Sequence, residues 1–199
     1  QTGLILSGGS VVTANKQWDV FDTGAVVIMG ENIVEVGPAN EIKKKYKNSL
    51  TIDCSGKTII PGLINAHTHA PMTLLRGLAD DRRLDVWLLG YMMPVEREFV
   101  TSEFCRIGTQ LACAEMIRSG ITCFADMYYF EDDVAQAAAD VGMRALCSQS
   151  VLKFPTPDAP SLEDGLLRAR KFIEHWHGHS LILPSVGPHA SYTSTREML

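Results

Sequence analysis

The chain has 199 residues, 46% hydrophobic and 21% charged, with a formal net charge of -5. That is enough polypeptide for one or two domains with a packed core. The acidic balance argues against nucleic-acid binding through bulk electrostatics, no apolar run is long enough to span a bilayer, and no signal-peptide pattern opens the sequence.

The first strand signal runs through Leu4 and Leu6, and resumes at Val11 and Val12 after the turn Ser7-Gly8-Gly9-Ser10. Gly24 to Met29 reads as a strand, Gly30-Glu31-Asn32 as a turn, and Ile33 to Gly37 as the returning strand of a hairpin. Asn40 to Tyr46 is a short basic helix or loop whose lysines read as a solvated face. Thr51 to Asp53 is a further short strand. Residues 1–57 are therefore expected to form a small all-β unit.

From residue 58 the rhythm becomes strand–helix alternation, the signature of a parallel α/β fold. An apolar strand punctuated by Pro61-Gly62 ends in His67-Thr68-His69. Side chains two apart on a strand point the same way, so the two imidazoles project together and suit a divalent metal such as zinc. The alternative is two histidines on an exposed strand. An apolar segment follows from Leu84 to Met93. Thr101 or Ser102 caps a helix expected to bury Phe104, Ile107, Leu111, Ala114 and Ile117, and Gly120 ends it.

Further strands are expected at 121–126, 143–150 and 181–186. The helix from Glu131 to Val141 is read as turning Val134, Ala138 and Val141 inward. The helix capped by Ser161 is read as doing so with Leu166, Ala169, Ile173 and Trp176. His175, His177 and His179 look like a metal cluster on paper. They fall at a helix C-terminus, at the end of the strands away from His69, and are read as solvated. The cysteines, Cys54, Cys105, Cys113, Cys123 and Cys147, are dispersed and contain no C-x-x-C pair. They read as reduced, buried thiols of a cytoplasmic protein.

The segment from Pro61 through His67-Thr68-His69 to Asp81, with Trp87 and Pro94-Val95-Glu96 beyond it and Gly187-Pro188-His189 near the end, resembles the amidohydrolase superfamily. The resemblance is to its methylthioadenosine/S-adenosylhomocysteine deaminase and chlorohydrolase-like branch. It implies a metal-dependent (β/α)8 TIM-type barrel over 58–199 with a flanking β-sandwich built partly from 1–57. Such a barrel takes about 250 residues, and four strands are half of one. The sequence therefore reads as the N-terminal portion of a longer protein, in which the exposed half-barrel edges need the remainder.

The resemblance also implies roles. His67 and His69 become ligands to Zn2+ or another divalent metal. The remaining ligands and the proton shuttle are expected beyond Leu199. His189 matches a histidine that contacts substrate, its alternative being a structural histidine at a strand end. Glu96 matches a glutamate that accepts hydrogen bonds from ribose hydroxyls, its alternative being a surface charge beside Arg97 and Glu98. Trp87 and Met72 read as apolar lining for an adenine or thioether group, or as packing of the loop. Gln149 stands where relatives that handle S-adenosylhomocysteine can carry an arginine, which disfavours a charged substrate tail. Asp126 is read as capping the next helix or orienting a metal-binding histidine.

The function implied is hydrolytic deamination of an adenine nucleoside (methylthioadenosine, S-adenosylhomocysteine or adenosine) or a related aminated heterocycle. The alternatives are a triazine or pterin ring aminohydrolase or chlorohydrolase, and a non-catalytic barrel fragment. The partner expected is a small heteroaromatic amine, without nucleic acid or membrane, in a homo-oligomer.

Overall fold

The structure is a computed structural model that describes residues 3–198. The chain divides into two compact units, Gln1–Pro61 and Gly62–Leu199.

In the first unit, β1 (Leu4–Ser7) pairs antiparallel with β4 (Gly24–Met29) and parallel with β6 (Leu50–Asp53). The hairpin expected from the Gly30 turn forms between β4 and β5 (Asn32–Pro38), with Gly30 at φ 60°. That left-handed conformation carries no Cβ penalty in glycine. A second sheet joins β2 (Ser10–Val12) to β3 (Val20–Phe21) and β7 (Thr58–Ile59). The pairing of β7 with β2 keeps residues 58–61 in this unit, a little beyond the boundary expected at 57. The lysine-rich segment is a helix, α1 (Ala39–Lys45), whose Ala39 and Ile42 join Ile5, Ala25 and Val27 in the core.

The second unit is a four-stranded parallel sheet in the order β11-β10-β9-β8, where β8 is Leu63–Thr68, β9 Ile121–Tyr128, β10 Arg144–Val151 and β11 Ile182–Pro188. The crossovers carry α3 (Ser102–Arg118), α4 (Glu131–Asp140) and α5 (Leu162–Trp176). Thr101 caps α3 by accepting from the Phe104 amide at 3.2 Å, and Ser161 caps α5 through the Asp164 amide at 3.1 Å, as the sequence indicated. Between β8 and α3 run a 3-10 helix (Ala70–Leu75), a π-helical stretch (Val86–Met92) and α2 (Met93–Phe99).

The buried face of α3 differs from expectation. Cys105, Gly108, Thr109, Ala112, Cys113 and Met116 are buried, while Ile107, Leu111 and Ile117 are exposed. Close approach explains this: a Cβ added to Gly108 would lie 2.4 Å from the Pro71 carbonyl oxygen. Only a face of small side chains fits there. Likewise Val141 and Leu166 are exposed, and Phe172 takes the core place next to Ala169 and Trp176. The outer strands of the sheet expose Leu63 and Ile64 on β8 and Leu183 and Val186 on β11.

Candidate active site

The C-terminal ends of parallel strands converge on one rim, and the chemistry-bearing side chains lie there. His67 and His69 follow one another at the end of β8, with ring centroids 5.4 Å apart and planes at 75°. Both border the space over the sheet that Ala125, Leu146 and Ser148 also line. His69 Nδ1 lies 2.5 Å from the Met127 carbonyl oxygen. A carbonyl only accepts, so Nδ1 carries the proton and Nε2 keeps its lone pair.

Next to this pair is an open cleft. Of the residues singled out in the sequence, His69, Met72, Trp87, Glu96 and His189 line it. Glu96 is not a surface charge. It is 6% exposed on α2 while Arg97 and Glu98 point to solvent. Burial raises its pKa, partly offset by a hydrogen bond from Tyr128 Oη to Glu96 Oε1 at 2.8 Å. His189 Nδ1 lies 2.9 Å from Thr193 Oγ1, which itself donates to the Ala190 carbonyl at 3.2 Å. The hydroxyl proton is thus used, so His189 Nδ1 donates and Nε2 remains free. Burial lowers the His189 pKa, with a smaller contribution from His69, and the ring is neutral near pH 7.

Gln149 requires correction. It is 1% exposed and does not line the cleft. It shares a strand face with Ala145 and Cys147, its amide donates to Asp158 Oδ2 at 2.8 Å, and its Oε1 accepts from the Glu131 amide at 3.4 Å. Asp158 also accepts from the Phe130 amide at 2.9 Å and from Thr156 Oγ1 at 2.8 Å. Gln149 therefore anchors the loop that brings Phe154 to the cleft, and the residue of β10 on the cleft is Ser150.

Asp126 is fully buried and neither caps α4 nor touches a histidine in a hydrogen bond. Its Oδ1 accepts from Thr68 Oγ1 and from the Ala70 amide, the latter at 2.6 Å, so it grips the chain on both sides of His69. Glu131, also sealed from solvent, has its pKa raised well above the usual range by burial and then by Asp126. The histidines of α5 do not gather: His175 Nδ1 meets Asp132 Oδ1 at 3.0 Å, and His179 Nδ1 accepts from the Leu181 and Ile182 amides at 3.2 Å each. Among the described residues no three His, Cys, Asp or Glu side chains meet as a metal site.

Among the residues that sequence reasoning missed are Tyr128 and Tyr129, which follow the expected end of their strand, and Met92, Met93 and Leu152. An aromatic pair at the end of a parallel strand was the available signal. All five cysteines are free thiols, four of them buried.

Residues 58–199 match the Amidohydrolase family. The chain is 46% identical over 199 residues to the 5-methylthioadenosine/S-adenosylhomocysteine deaminase of Thermodesulfovibrio yellowstonii, covering 98% of this chain and 45% of that protein. It superposes with a TM-score of 0.93 on an adenosine deaminase from Xanthomonas campestris with bound zinc, at 38% identity and covering 98% of this chain and 44% of that one. A triazine hydrolase from Arthrobacter aurescens shares the fold, with a TM-score of 0.88 at 21% identity. The chain spans under half the length of these curated relatives, and no helix among the described residues is long and apolar enough to cross a membrane. A parallel sheet ending in His-x-His, matched over residues 58–199 and joined to a small β-unit, places the chain in the amidohydrolase family.

Proposed function

We propose that the full-length protein is a metal-dependent hydrolytic deaminase of adenine nucleosides, with methylthioadenosine and adenosine its preferred substrates. The observation that carries this reading is the buried Glu96 carboxylate in a largely apolar cleft that also holds His69 and His189. A buried carboxylate needs donors, and a ribose diol supplies two. A triazine ring has no such diol, which sets this reading above that alternative. The zinc of the Xanthomonas campestris enzyme supports the same ion here.

The residues present fit a divalent ion as two of its ligands. His67 and His69 share one space, and His69 has its tautomer fixed by Met127, the arrangement that makes Nε2 a ligand. A catalytic zinc takes three protein ligands and keeps one position open, so further ligands are expected beyond Leu199. When bound, such an ion supplies the Lewis acidity that makes water nucleophilic near neutral pH.

The chain's own residues do the rest of the binding. Trp87 and Met72 flank the heterocycle and exclude water from it. Glu96 holds the sugar hydroxyls. Neutral His189, oriented by Thr193, offers Nε2 to the substrate. Among the described residues no Lys or Arg lines the cleft itself, and Arg97 borders only the space beside it, next to Glu96 and Tyr129, which favours a neutral tail. Comparison of kcat/KM for methylthioadenosine, adenosine, S-adenosylhomocysteine and the 2′,3′-dideoxy nucleoside tests the reading. Methylthioadenosine is expected to be turned over at least as well as S-adenosylhomocysteine, and a strong preference for the latter would reject the neutral-tail assignment.

A further inference from the structure

Tyr128 closes β9, with its ring 5.0 Å from that of Tyr129 and 6.2 Å from that of His69. Its hydroxyl donates to Glu96 Oε1 at 2.8 Å, and it is the hydrogen-bond partner of that side chain among the described residues. Both groups are buried, Tyr128 at 4% and Glu96 at 6% exposure. The terminal torsion of a glutamate is soft and roughly two-fold. One fixed donor on Oε1 is what sets the plane of this carboxylate. An ionised carboxylate has about four acceptor sites. Tyr128 fills one, and those left face a cleft that otherwise offers mostly apolar atoms.

The neighbouring residue makes the arrangement more telling. Met127 orients His69 through its carbonyl, and Tyr128 orients Glu96 through its hydroxyl. Two consecutive residues of one strand thus hold the group on the metal side of the cleft and the group on the sugar side. The spacing between reacting centre and sugar anchor is set by the end of β9, not by α2 alone.

We propose that Tyr128 is a positioning residue that sets recognition of the ribose diol by holding the Glu96 carboxylate in one plane. The proposal rests on the reading of Glu96 as diol acceptor given above. Tyr128→Phe keeps the ring contacts with His69 and Tyr129 and removes only the donor. Glu96 is then free to rotate or to retain water, and the diol meets an acceptor in the wrong plane.

The test uses the full-length protein and compares kcat/KM for methylthioadenosine with that for its 2′,3′-dideoxy counterpart, in wild type, Tyr128→Phe, Glu96→Gln and the double variant. The ratio of the two values is the diol preference. It is expected to fall about tenfold or more in Tyr128→Phe, through KM more than kcat, the scale of one charge-assisted hydrogen bond. The double variant is expected to lose no more than Glu96→Gln alone, because Tyr128 acts through Glu96. A preference kept in Tyr128→Phe but lost in Glu96→Gln overturns the role of Tyr128 and leaves Glu96 in place. A preference unchanged in Glu96→Gln overturns the reading of Glu96 and the proposal with it. Should Tyr128→Phe fail to fold, a ring-fluorinated tyrosine at 128 makes the hydroxyl a stronger donor. The preference must then shift from wild type, and an unchanged ratio overturns the proposal.

Discussion

His69 donates its Nδ1 proton to the carbonyl oxygen of Met127 across 2.5 Å, from the end of one strand to the end of the next. This contact leaves Nε2 as the ligand atom and fixes the plane of the ring. His67, 5.4 Å away between centroids, adds the second imidazole. Removing either should leave too few ligands to retain an ion. Elemental analysis of the full-length His67→Ala and His69→Ala proteins is expected to show loss of nearly all bound metal. Normal metal content in the double variant would remove both residues from the site.

Asp126 holds the same segment through hydrogen bonds. Its Oδ1 takes the Thr68 hydroxyl and the Ala70 amide, the two neighbours of His69. Asp126→Ala orphans that buried amide and frees the loop. Outer contacts of this kind are worth about 10–100-fold in metal affinity, so a drop of that order is expected, measured by competition with a chelator. Asp126→Asn keeps an acceptor and should lose less. Equal affinity in wild type and Asp126→Ala would show that the loop is held by other means.

The approach of α3 to the 3-10 helix at Pro71 allows a stability prediction. Gly108→Ala places a methyl group against a backbone carbonyl that has no rotamer to move. Overpacking of this type costs about 1–3 kcal/mol, and a lowered Tm is expected. Gly90→Ala, with nothing within 4 Å of the added atom, is the control and should be neutral or slightly stabilising.

These contacts show which parts of the molecule were legible in the sequence. The four strands, the caps at Thr101 and Ser161 and the hairpin at Gly30 follow from local rules, and local rules held. The buried face of α3 did not follow, because Ile107, Leu111 and Ile117 point outward and the inward face carries Cys105, Gly108, Thr109, Ala112, Cys113 and Met116. Gln149, expected at the substrate from the resemblance, lies on the face of β10 away from the cleft. Alternation puts it with Ala145 and Cys147, and its neighbour Ser150 reaches the cleft. The aromatic pair at the end of β9 marks Tyr128 as a candidate, but it has the same appearance in sequence whether it fills a core or grips a carboxylate. Only the 2.8 Å contact with Glu96 separates the two.

Cys113 provides a test through pH. Burial, with a smaller contribution from Asp126, pushes its thiol up to about 11 from a reference of 9.0. The folded state keeps the proton where the unfolded chain releases it. The group's contribution to stability is therefore complete below about pH 9 and is lost as pH rises toward 11 and beyond. Denaturant midpoints are expected to fall over that window, and less so in Cys113→Ala relative to its own value at pH 8. Cys113 is also expected to resist alkylation at pH 8 until the protein unfolds. Rapid labelling in the native state would contradict its burial.

A polypeptide of these residues alone exposes Leu63 and Ile64 on one edge of the parallel sheet and Leu183 and Val186 on the other. Unpaired apolar edges associate. Expressed without further chain, it is expected to aggregate or to be inactive. A monodisperse, active product would show that four strands suffice.

The central claim, that His69 and Glu96 belong to one deaminating site, is tested most directly by ammonia release. The full-length protein, loaded with zinc, is incubated with methylthioadenosine, and ammonia and the hypoxanthine nucleoside are both quantified. Equal amounts of the two products, lost in His69→Ala and restored to wild type by zinc after chelation, are the result expected. A folded, zinc-loaded protein that releases no ammonia from methylthioadenosine or adenosine would contradict the account.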